Sequence, residues 1–412
     1  MIPRFAFSRF KQSLPKPIRN QNSWALGFGA SLLANTSPSP APKSTFATST
    51  PSVAPTSEHH LTYRIAASYS AKGDRLNPNR NVYHFGNLVS SQRPDTLEES
   101  GRRSREDRPA SGEDSFFVTQ LGITDSIALG VADGVGGYND LGVDPADFAH
   151  GLCEYMRSFA SIYAEDGAGS PAKARSILQV GYDNVIKDES IPAGGSTAVV
   201  AVAGSDGRLE VANLGDSGFL HVRHSAIRYY STHQTKGFNT PYQLSKRSPA
   251  MLRQHAIFGG GTPIDDHPKD ADVTTHELRH GDVLVFATDG VWDNLSSQDT
   301  LDIISRHMKN FGAWTDKGNG VETSGRLRYL TEKGGIGKND ENTLQAALAI
   351  AMVDAAKRVS EDERRDSPFA KEVRKHYPNE PNFTGGKKDD ICVVVAIAVE
   401  GADGSMKLRA KL

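Results

Sequence analysis

Cysteine is scarce in this sequence of 412 residues, which contains only Cys153 and Cys392. Each lies in an apolar segment. Two isolated cysteines provide neither a disulfide framework nor the clustered ligands of a zinc site. We therefore expect two small buried side chains in a reducing compartment, with a reactive thiol as the alternative.

An excess of charge of one sign and a long apolar run are also missing. The formal net charge is −2, and the basic residues do not form a stripe, which argues against binding to nucleic acid. The apolar patch 24–34 is too short, and too interrupted by glycine and serine, to cross a bilayer. We therefore expect no transmembrane segment.

Acidic residues are absent from residues 1–57, where arginine and lysine alternate with phenylalanine, leucine and isoleucine. A basic, acid-poor and serine-containing start is typical of a mitochondrial transit peptide, which we predict for 1–34; the alternative is a disordered basic tail. Residues 35–60 are rich in Pro, Ser, Thr and Ala and predict a disordered linker. The remaining domain should cover 61–402.

The domain alternates apolar strand patterns with helical periodicity. Strands are predicted at 61–68, 115–120, 126–132, 196–203, 209–214, 219–223, 282–288 and 391–399. Helices are predicted at 145–163, from Ser170-Pro171 to about 186, from Ser296 or Ser297 onward, and at 343–359. The strands between 196 and 223 are expected to form a meander, and 231–270 a long surface loop that holds substrate. Insertions are predicted near 90–111, 312–340 and 360–386.

Carboxylates recur where strands begin or end. The apolar run of IALGVADGVGGY delivers Asp133 into a glycine-rich turn, and VFATDGVWDN repeats this arrangement with Asp289. Glu113 and Asp114 precede one strand, and an Asp389-Asp390 pair precedes another. Each Asp-Gly alone is more simply a turn. Four such places together, without a Cys or His pattern, predict a site for Mg²⁺ or Mn²⁺, which prefer oxygen ligands.

Six ordered motifs carry a resemblance to a known family: GEDSFF, GVADGVGG, GSTAVVAV, LGDSG, VFATDGVWDN and KKDDICVVV. Over about 61–400 the sequence resembles the metal-dependent type 2C protein serine/threonine phosphatases. The DGVGGY form and FNTPYQL are most similar to the mitochondrial branch of that family. The resemblance implies an α+β fold, a four-layer α/β/β/α sandwich of two mainly antiparallel sheets flanked by helix pairs.

The resemblance also implies a centre of two Mn²⁺ or Mg²⁺ ions, with a possible third. Asp133 would bridge both ions, Glu113 and the Gly134 carbonyl would hold one, and Asp289 and Asp389 the other. Asp133 and Asp289 would thereby position the catalytic water.

Three further carboxylates match the family more loosely. Asp114 would act through water. Asp216 and Asp293 match positions associated with a weaker third metal, the alternative being hydrogen bonding around the ligands.

Two positions depart from the family pattern. Many members have a histidine, a candidate general acid, where this sequence has Val135. Many also carry a phosphate-binding arginine four residues before the glutamate, where this sequence has Pro109. The neighbouring Arg108 is a possible phosphate ligand, with a solvated loop arginine as the alternative.

The function implied is hydrolysis of phosphoserine and phosphothreonine in proteins through a metal-activated water. The alternatives are a catalytically silent phosphoprotein-binding scaffold of the same fold and a small-molecule phosphohydrolase. We expect phosphorylated mitochondrial proteins as partners, a matrix location, and a monomer.

Overall fold

The computed structural model describes residues 60–85, 105, 108–163, 172–258, 266–337 and 342–401. The predicted transit peptide, nearly all of the predicted linker and most of the predicted insertion near 90–111 lie outside these residues.

The strands of the described residues are, in chain order, β1 Leu61–Ser70, β2 Val82–His84, β3 Asp114–Gln120, β4 Ile127–Asp133, β5 Gly194–Ser196, β6 Ala198–Ala203, β7 Arg208–Leu214, β8 Gly218–Arg223, β9 Ala226–Tyr230, β10 Thr235–Gly237, β11 Thr240–Pro241, β12 Leu244–Lys246, β13 Asp272–Glu277, β14 Val283–Ala287, β15 Trp314–Lys317, β16 Gly320–Thr323 and β17 Ile391–Glu400.

The helices are α1 Pro145–Ile162, α2 Ala174–Lys187, α3 Pro249–Phe258, α4 Asp289–Trp292, α5 Ser297–Asn310, α6 Leu327–Leu330, α7 Leu344–Glu361 and α8 Pro368–His376. Two short 3₁₀ turns, Gly136–Leu141 and Pro268–Asp270, complete the regular structure of the described part.

Two antiparallel sheets form the centre of the fold. One has six strands in the order β2-β1-β17-β14-β8-β9, and the other has five in the order β13-β7-β6-β4-β3. Three clusters of buried side chains separate the layers: one between the sheets, one between the five-stranded sheet and α1 with α2, and one between the six-stranded sheet and α5 with α7. The predicted four-layer α/β/β/α sandwich is confirmed.

Strand β17 shows how the sequence builds these layers. Nine of its ten residues are buried. Because side chains alternate between the faces of a strand, Val393, Val395 and Ile397 face the helices, whereas Val394 and Ala396 face the other sheet. The wholly apolar pattern predicted a central buried strand, and this prediction is confirmed.

Helix starts follow the capping residues in most cases. The side chain of Asp144 accepts a hydrogen bond from the Ala146 amide at the start of α1, and Ser296 forms a capping box with Asp299 at the start of α5. Helix α2 differs from its prediction. It begins at Ala174 with Lys173 in the cap position, and Ser170-Pro171 lies outside the described residues.

The predicted meander is wrong at one connection. Strands β6 and β7 pair as expected, but β7 belongs to the five-stranded sheet and β8 to the six-stranded sheet. Between them, Gly215-Asp216-Ser217 carries the chain from one sheet to the other. Sequence periodicity describes single strands, so it does not distinguish a hairpin from a crossover between packed sheets.

Two segments predicted as irregular contain packed structure. The region 231–270 includes β10, β11, β12 and α3, and Leu244 within it is fully buried. The region 312–340 contains the hairpin of β15 and β16, and Trp314 at its start is 1% exposed and donates a hydrogen bond to the Gly281 carbonyl. Short elements of this kind obtain their stability from tertiary contacts that the local pattern does not show. None of the helices in the described part of the chain combines the length and apolarity needed to cross a membrane.

Both cysteines are buried and free, as predicted. Burial raises the pKa of the Cys153 thiol to about 12 and also raises that of Cys392. Because the thiolate is the reactive form, neither thiol should react with a disulfide reagent such as DTNB in the folded protein, and both should react after denaturation. Rapid labelling of either cysteine in the native state would contradict this prediction.

Candidate metal centre

Antiparallel register brings the predicted carboxylates to one end of the sandwich. Asp114 at the start of β3 lies opposite Asp133 at the end of β4. In the other sheet, Ala287 at the end of β14 lies opposite Val393, near the start of β17. The residues after β14 and before β17 therefore emerge at the same end of their sheet, which is why Asp289 and Asp389 come together.

Three carboxylates lie closest to one another. Asp133, Asp216 and Asp289 each offer an oxygen within 4.8 Å of the others. Asp133 comes from the five-stranded sheet, Asp289 from the start of α4 after the six-stranded sheet, and Asp216 from the crossover between the two sheets. The centre is therefore built across the interface between the two sheets. The crossover between β7 and β8, which the sequence did not predict, positions Asp216.

Glycine permits two close approaches at this centre. Gly215 has φ +103°, and a Cβ there would lie 2.6 Å from the Tyr242 carbonyl oxygen. At Gly134 a Cβ would lie 2.7 Å from the Glu113 carbonyl oxygen. A larger residue at 215 would push the segment that carries Asp216 away from Tyr242, and a larger residue at 134 would push the turn after Asp133 away from Glu113.

Hydrogen bonds hold the backbone of the Asp133 turn. The Asp133 carbonyl accepts from the Thr197 amide at 3.0 Å and from the Ser196 hydroxyl at 2.9 Å. The Gly134 amide donates to the Glu113 carbonyl at 3.2 Å. Glu113 itself accepts from the Asn139 side chain at 2.7 Å, so one carboxylate oxygen is oriented by the turn that follows β4.

The two adjacent aspartates before β17 differ in their contacts. Asp390 accepts from the backbone amides of Lys72 at 2.6 Å and Glu113 at 2.9 Å, so it ties the two sheets together. Asp389 instead contacts the Lys387 ammonium at 3.1 Å. The resemblance selected Asp389 as the ligand, and the contacts agree with a structural role for its neighbour.

Asp114 lies behind this group of carboxylates. It is 1% exposed and accepts from the Thr288 hydroxyl at 2.8 Å through one oxygen, whereas its other oxygen is buried without a protein partner. Asp216 likewise has one buried oxygen without a protein partner. Unpaired buried oxygens are costly, and they indicate polar groups or cations beyond the protein side chains.

The carboxylates of this centre repel one another, and this repulsion changes their pKa values. Burial raises the pKa of Asp114, Asp133 and Asp216, and neighbouring carboxylates, including Asp289, raise these pKa values further. Burial also raises the pKa of Glu113. Clustered carboxylates with this property favour a bound cation, because a cation restores their charged forms.

The residues present fit a hard divalent cation. The donors are carboxylate oxygens from separate rigid segments, and Mg²⁺ and Mn²⁺ prefer oxygen donors of this kind. Two of the carboxylates carry buried oxygens that a cation or its water would satisfy. Of the predicted site residues, the structure brings Asp133, Asp216 and Asp289 together, and Asp389 and Asp293 both contact Lys387.

Lys387 was not predicted as part of the site. Its ammonium contacts Asp289, Asp293 and Asp389, and its side chain is 15% exposed. The only signal in the sequence was its position two residues before Asp389. Exposed lysines beside aspartates are common, so this signal would not have separated Lys387 from Lys388.

A cavity of about 520 Å³ opens beside the centre. Asp216 and Asp293 of the carboxylate region line it. It is also lined by His233 and Phe238, from the region predicted to hold substrate, and by Phe369 of α8. Among the described residues, none of 312–337 lines it, so this part of the predicted insertion near 312–340 lies outside the cavity.

Comparison with known proteins identifies the family. The chain is 35% identical over 289 residues to the mitochondrial protein phosphatase 2C homolog 7 of Saccharomyces cerevisiae, which covers 70% of this chain and 74% of that protein. It is 33% identical over 293 residues to the human protein phosphatase PTC7 homolog, covering 71% of this chain and 81% of that protein. The chain belongs to the type 2C protein phosphatase family. Within that family it belongs to the branch of these mitochondrial homologues.

Family models and solved structures provide weaker evidence for the family than the sequence relatives do. No family model matches the chain. The solved structure of the photosystem II phosphatase PBCP is similar, with 26% identity, a TM-score of 0.49, and coverage of 69% of this chain and 91% of that chain. The catalytic domain of the phosphatase PstP, solved with 2 manganese ions, is 16% identical with a TM-score of 0.41, and covers 82% of this chain and 100% of that chain. Membership of the type 2C family rests on the sequence relatives.

The structure shows what Val135 and Arg108 contact at the two positions where the sequence departs from the type 2C pattern. Val135 donates its amide to the Gly195 carbonyl at 3.0 Å and brings no titratable group to the centre. Arg108 is not the solvated arginine of the alternative interpretation, because its side chain is 9% exposed and its guanidinium contacts Asp147 at 2.7 Å. Arg105 contacts the same carboxylate, and both arginines hold the pKa of Asp147 below its usual range, against the effect of burial, which alone would raise it.

In metal-free protein, the raised pKa of Asp133 should give a contribution to stability that falls as the pH rises. A carboxyl whose pKa is raised in the fold stabilises the folded state while it is protonated, and this stabilisation is lost as the pH rises through the raised pKa. The Asp133→Asn change should therefore reduce the pH dependence of the melting temperature in chelator.

The same variant should lose its response to Mn²⁺. In the wild type, Mn²⁺ at 100 times its dissociation constant should add about 2.7 kcal/mol to the free energy of unfolding. The Asp354→Asn change on the exposed face of α7 is the matched control and should keep the full response. An equal shift with Mn²⁺ in the wild type and in Asp133→Asn would contradict the site.

Proposed function

We propose that the chain is a metal-dependent protein phosphatase that hydrolyses phosphoserine and phosphothreonine esters. The observation that carries this proposal is the convergence of Asp133, Asp216 and Asp289 from both sheets, with oxygens within 4.8 Å of one another, in a member of the type 2C family. Family membership supports this function over the silent scaffold and the small-molecule phosphohydrolase.

Mn²⁺ or Mg²⁺ is the proposed cofactor. Asp133 would serve two cations, Glu113 and the Gly134 carbonyl would complete one site, and Asp289 and Asp389 the other. Two such cations lower the pKa of a water between them and neutralise the charge that develops on a phosphate during in-line displacement. The protein's own contribution is a rigid set of oxygens, since each ligand begins or ends a buried strand or lies next to one.

A phosphoenzyme on cysteine has no support in this chain. Cys153 and Cys392 are fully buried in the sheet and helix cores and have raised thiol pKa values. A cysteine nucleophile needs an accessible thiolate. Direct attack by water therefore agrees with the side chains that are available.

We also propose a mitochondrial matrix location, with phosphorylated mitochondrial proteins as substrates and a monomeric enzyme. The acid-free start of the sequence and the mitochondrial homologue support it. In this proposal, 1–34 are the transit peptide, 35–60 the linker and 61–402 the phosphatase domain. Sequencing the amino terminus of the protein recovered from mitochondria tests the boundary.

Activity should depend on the metal and its ligands. After chelation, Mn²⁺ should restore hydrolysis of a phosphothreonine peptide. The Asp289→Asn change should lower kcat/KM by about 100-fold or more, because even the loss of groups outside the ligand set costs roughly 10–100-fold at metal sites. Phosphate release measures both effects, with Asp354→Asn as the control.

Three outcomes would contradict the proposed activity. Hydrolysis that persists in excess chelator would show that the reaction does not require a metal ion. A wild-type chain that binds Mn²⁺ but turns over no phosphopeptide would be the scaffold of the alternative interpretation. Faster turnover of small phosphate esters than of phosphopeptides would favour the small-molecule phosphohydrolase.

The cavity beside the centre supports a peptide substrate. Phe238 packs against Phe369 of α8 with ring centroids 5.9 Å apart and against Tyr377 at 5.1 Å. Phe238 and Phe369 of this aromatic wall line the cavity together with Asp216 and Asp293, and the Phe369 amide donates to the Asp293 carbonyl at 2.9 Å. We infer that the wall contacts an apolar side chain next to the phosphorylated residue.

Removing the wall should weaken peptide binding without affecting the chemistry. The Phe369→Ala change should raise KM for a phosphopeptide with a leucine beside the phosphothreonine by about tenfold, since burying such a side chain contributes about 1.5–3 kcal/mol. Turnover of p-nitrophenyl phosphate, which lacks the flanking residue, should be unchanged. An equal loss with both substrates would indicate damage to the centre instead of loss of a peptide contact.

A further inference from the structure

Lys387 brings a positive charge into the carboxylate centre. Its Nζ lies 2.5 Å from Asp289 Oδ2, 2.7 Å from Asp293 Oδ2 and 3.1 Å from Asp389 Oδ2. The side chain is 15% exposed. An ammonium group has three N–H donors, and these three carboxylates match that number.

The segment around Lys387 is fixed by a buried asparagine. Asn294 is fully buried, accepts from the Lys387 amide at 3.0 Å and donates to the Lys387 carbonyl at 2.9 Å. Asn294 also donates to the Gly290 carbonyl, within the turn that carries Asp289 and Asp293. The lysine and two of its three carboxylates are therefore positioned by one side chain, so the contact is part of the fold.

Lys387 uses one oxygen of each carboxylate. Its contacts are to Oδ2 of Asp289, Asp293 and Asp389. Asp289 therefore keeps Oδ1 for a divalent cation, in agreement with its proposed role as a ligand. Oδ1 of Asp389 accepts from the Asp390 amide at 3.1 Å and lies 3.5 Å from the ammonium of Lys72, which is largely exposed.

Asp293 differs from Asp289. Asp289 belongs to the three carboxylates whose oxygens lie within 4.8 Å of one another, so other carboxylates would share a cation with it, and Asp293 does not belong to that group. The resemblance associated Asp293 only with a weaker third metal.

A divalent cation at Asp293 would have to lie next to the ammonium. Like charges in a partly buried site repel strongly, because solvent screens them little there. The ammonium already supplies the positive charge that a third cation would bring to Asp293. The two therefore compete for the same carboxylate.

We propose that Lys387 is a built-in cation that takes the place of a third divalent metal at Asp293 and limits this centre to two metal ions. The proposal rests on the metal centre of the proposed function. It concerns the number of ions held and not the reaction catalysed, so counting the ions tests it even if no phosphatase activity is found.

The experiment measures Mn²⁺ bound per chain. Metal-stripped full-length protein is titrated with Mn²⁺ by calorimetry, and bound Mn²⁺ is counted after equilibrium dialysis up to ~10 mM, so that sites as weak as millimolar are detected. The wild type should bind two ions. The Lys387→Met change should bind a third, weaker one, because Asp293 is then left without its cation.

Two matched variants test whether the positive charge at position 387, and not another effect of the substitution, sets the number of bound ions. Lys387→Arg keeps a cation and should remain at two ions. Lys388→Met removes a neighbouring lysine that is exposed and should also remain at two. Three ions in the wild type, or two in Lys387→Met, would overturn the proposal.

A further variant covers the case in which Lys387→Met does not fold. Asp293→Asn in the wild-type background removes a carboxylate that, in this proposal, holds only Lys387. The number of Mn²⁺ ions and their affinities should then be unchanged. A loss of one ion, or a tenfold weaker affinity, would place Asp293 among the metal ligands and overturn the proposal. Circular dichroism melting in chelator confirms that each variant is folded.

Discussion

Repulsion between buried carboxylates is the constraint on which this structure depends. Asp114, Asp133 and Asp216 lie close together at one end of the sandwich, and burial together with their neighbours raises the pKa of each. Such an arrangement is unfavourable unless cations compensate it. Two sheets with dry interfaces on both faces make it possible, because their packing energy holds the strand ends in place against the repulsion.

Polar support around the centre falls into two groups. Ser196, Thr288 and Asp390 bond to backbone or to the rear of the site, and they fix the segments without occupying the cation side. Lys387 alone, among the described residues, places a positive charge against Asp289. The fold therefore combines hydrogen-bonding side chains that fix the segments with one partly buried cation, and divalent ions would supply the remaining positive charge.

Local chemistry predicted much of the fold. Asp144 and Ser296 start α1 and α5 because a capping side chain satisfies free amides whatever the tertiary context. The apolar run of β17 predicted a central strand because no exposed face would tolerate it. Helix α8 was missed within the predicted insertion near 360–386, although Ser367 caps it and Pro368 is at its first position. The crossover at Asp216 was missed because it depends on contacts between distant segments. Lys387 was missed for the same reason.

The sequence by itself determined the main strands and helices of the sandwich, the ligand types and the family resemblance, because periodicity, capping and the residues beside each strand are local properties. The tertiary structure alone decided which carboxylates meet. The tertiary contacts show that Asp389 meets Lys387 while Asp390 ties the two sheets together. Only packing shows that Lys387 lies among three carboxylates and that Arg108 is committed to Asp147, because these contacts join residues that are far apart in the chain.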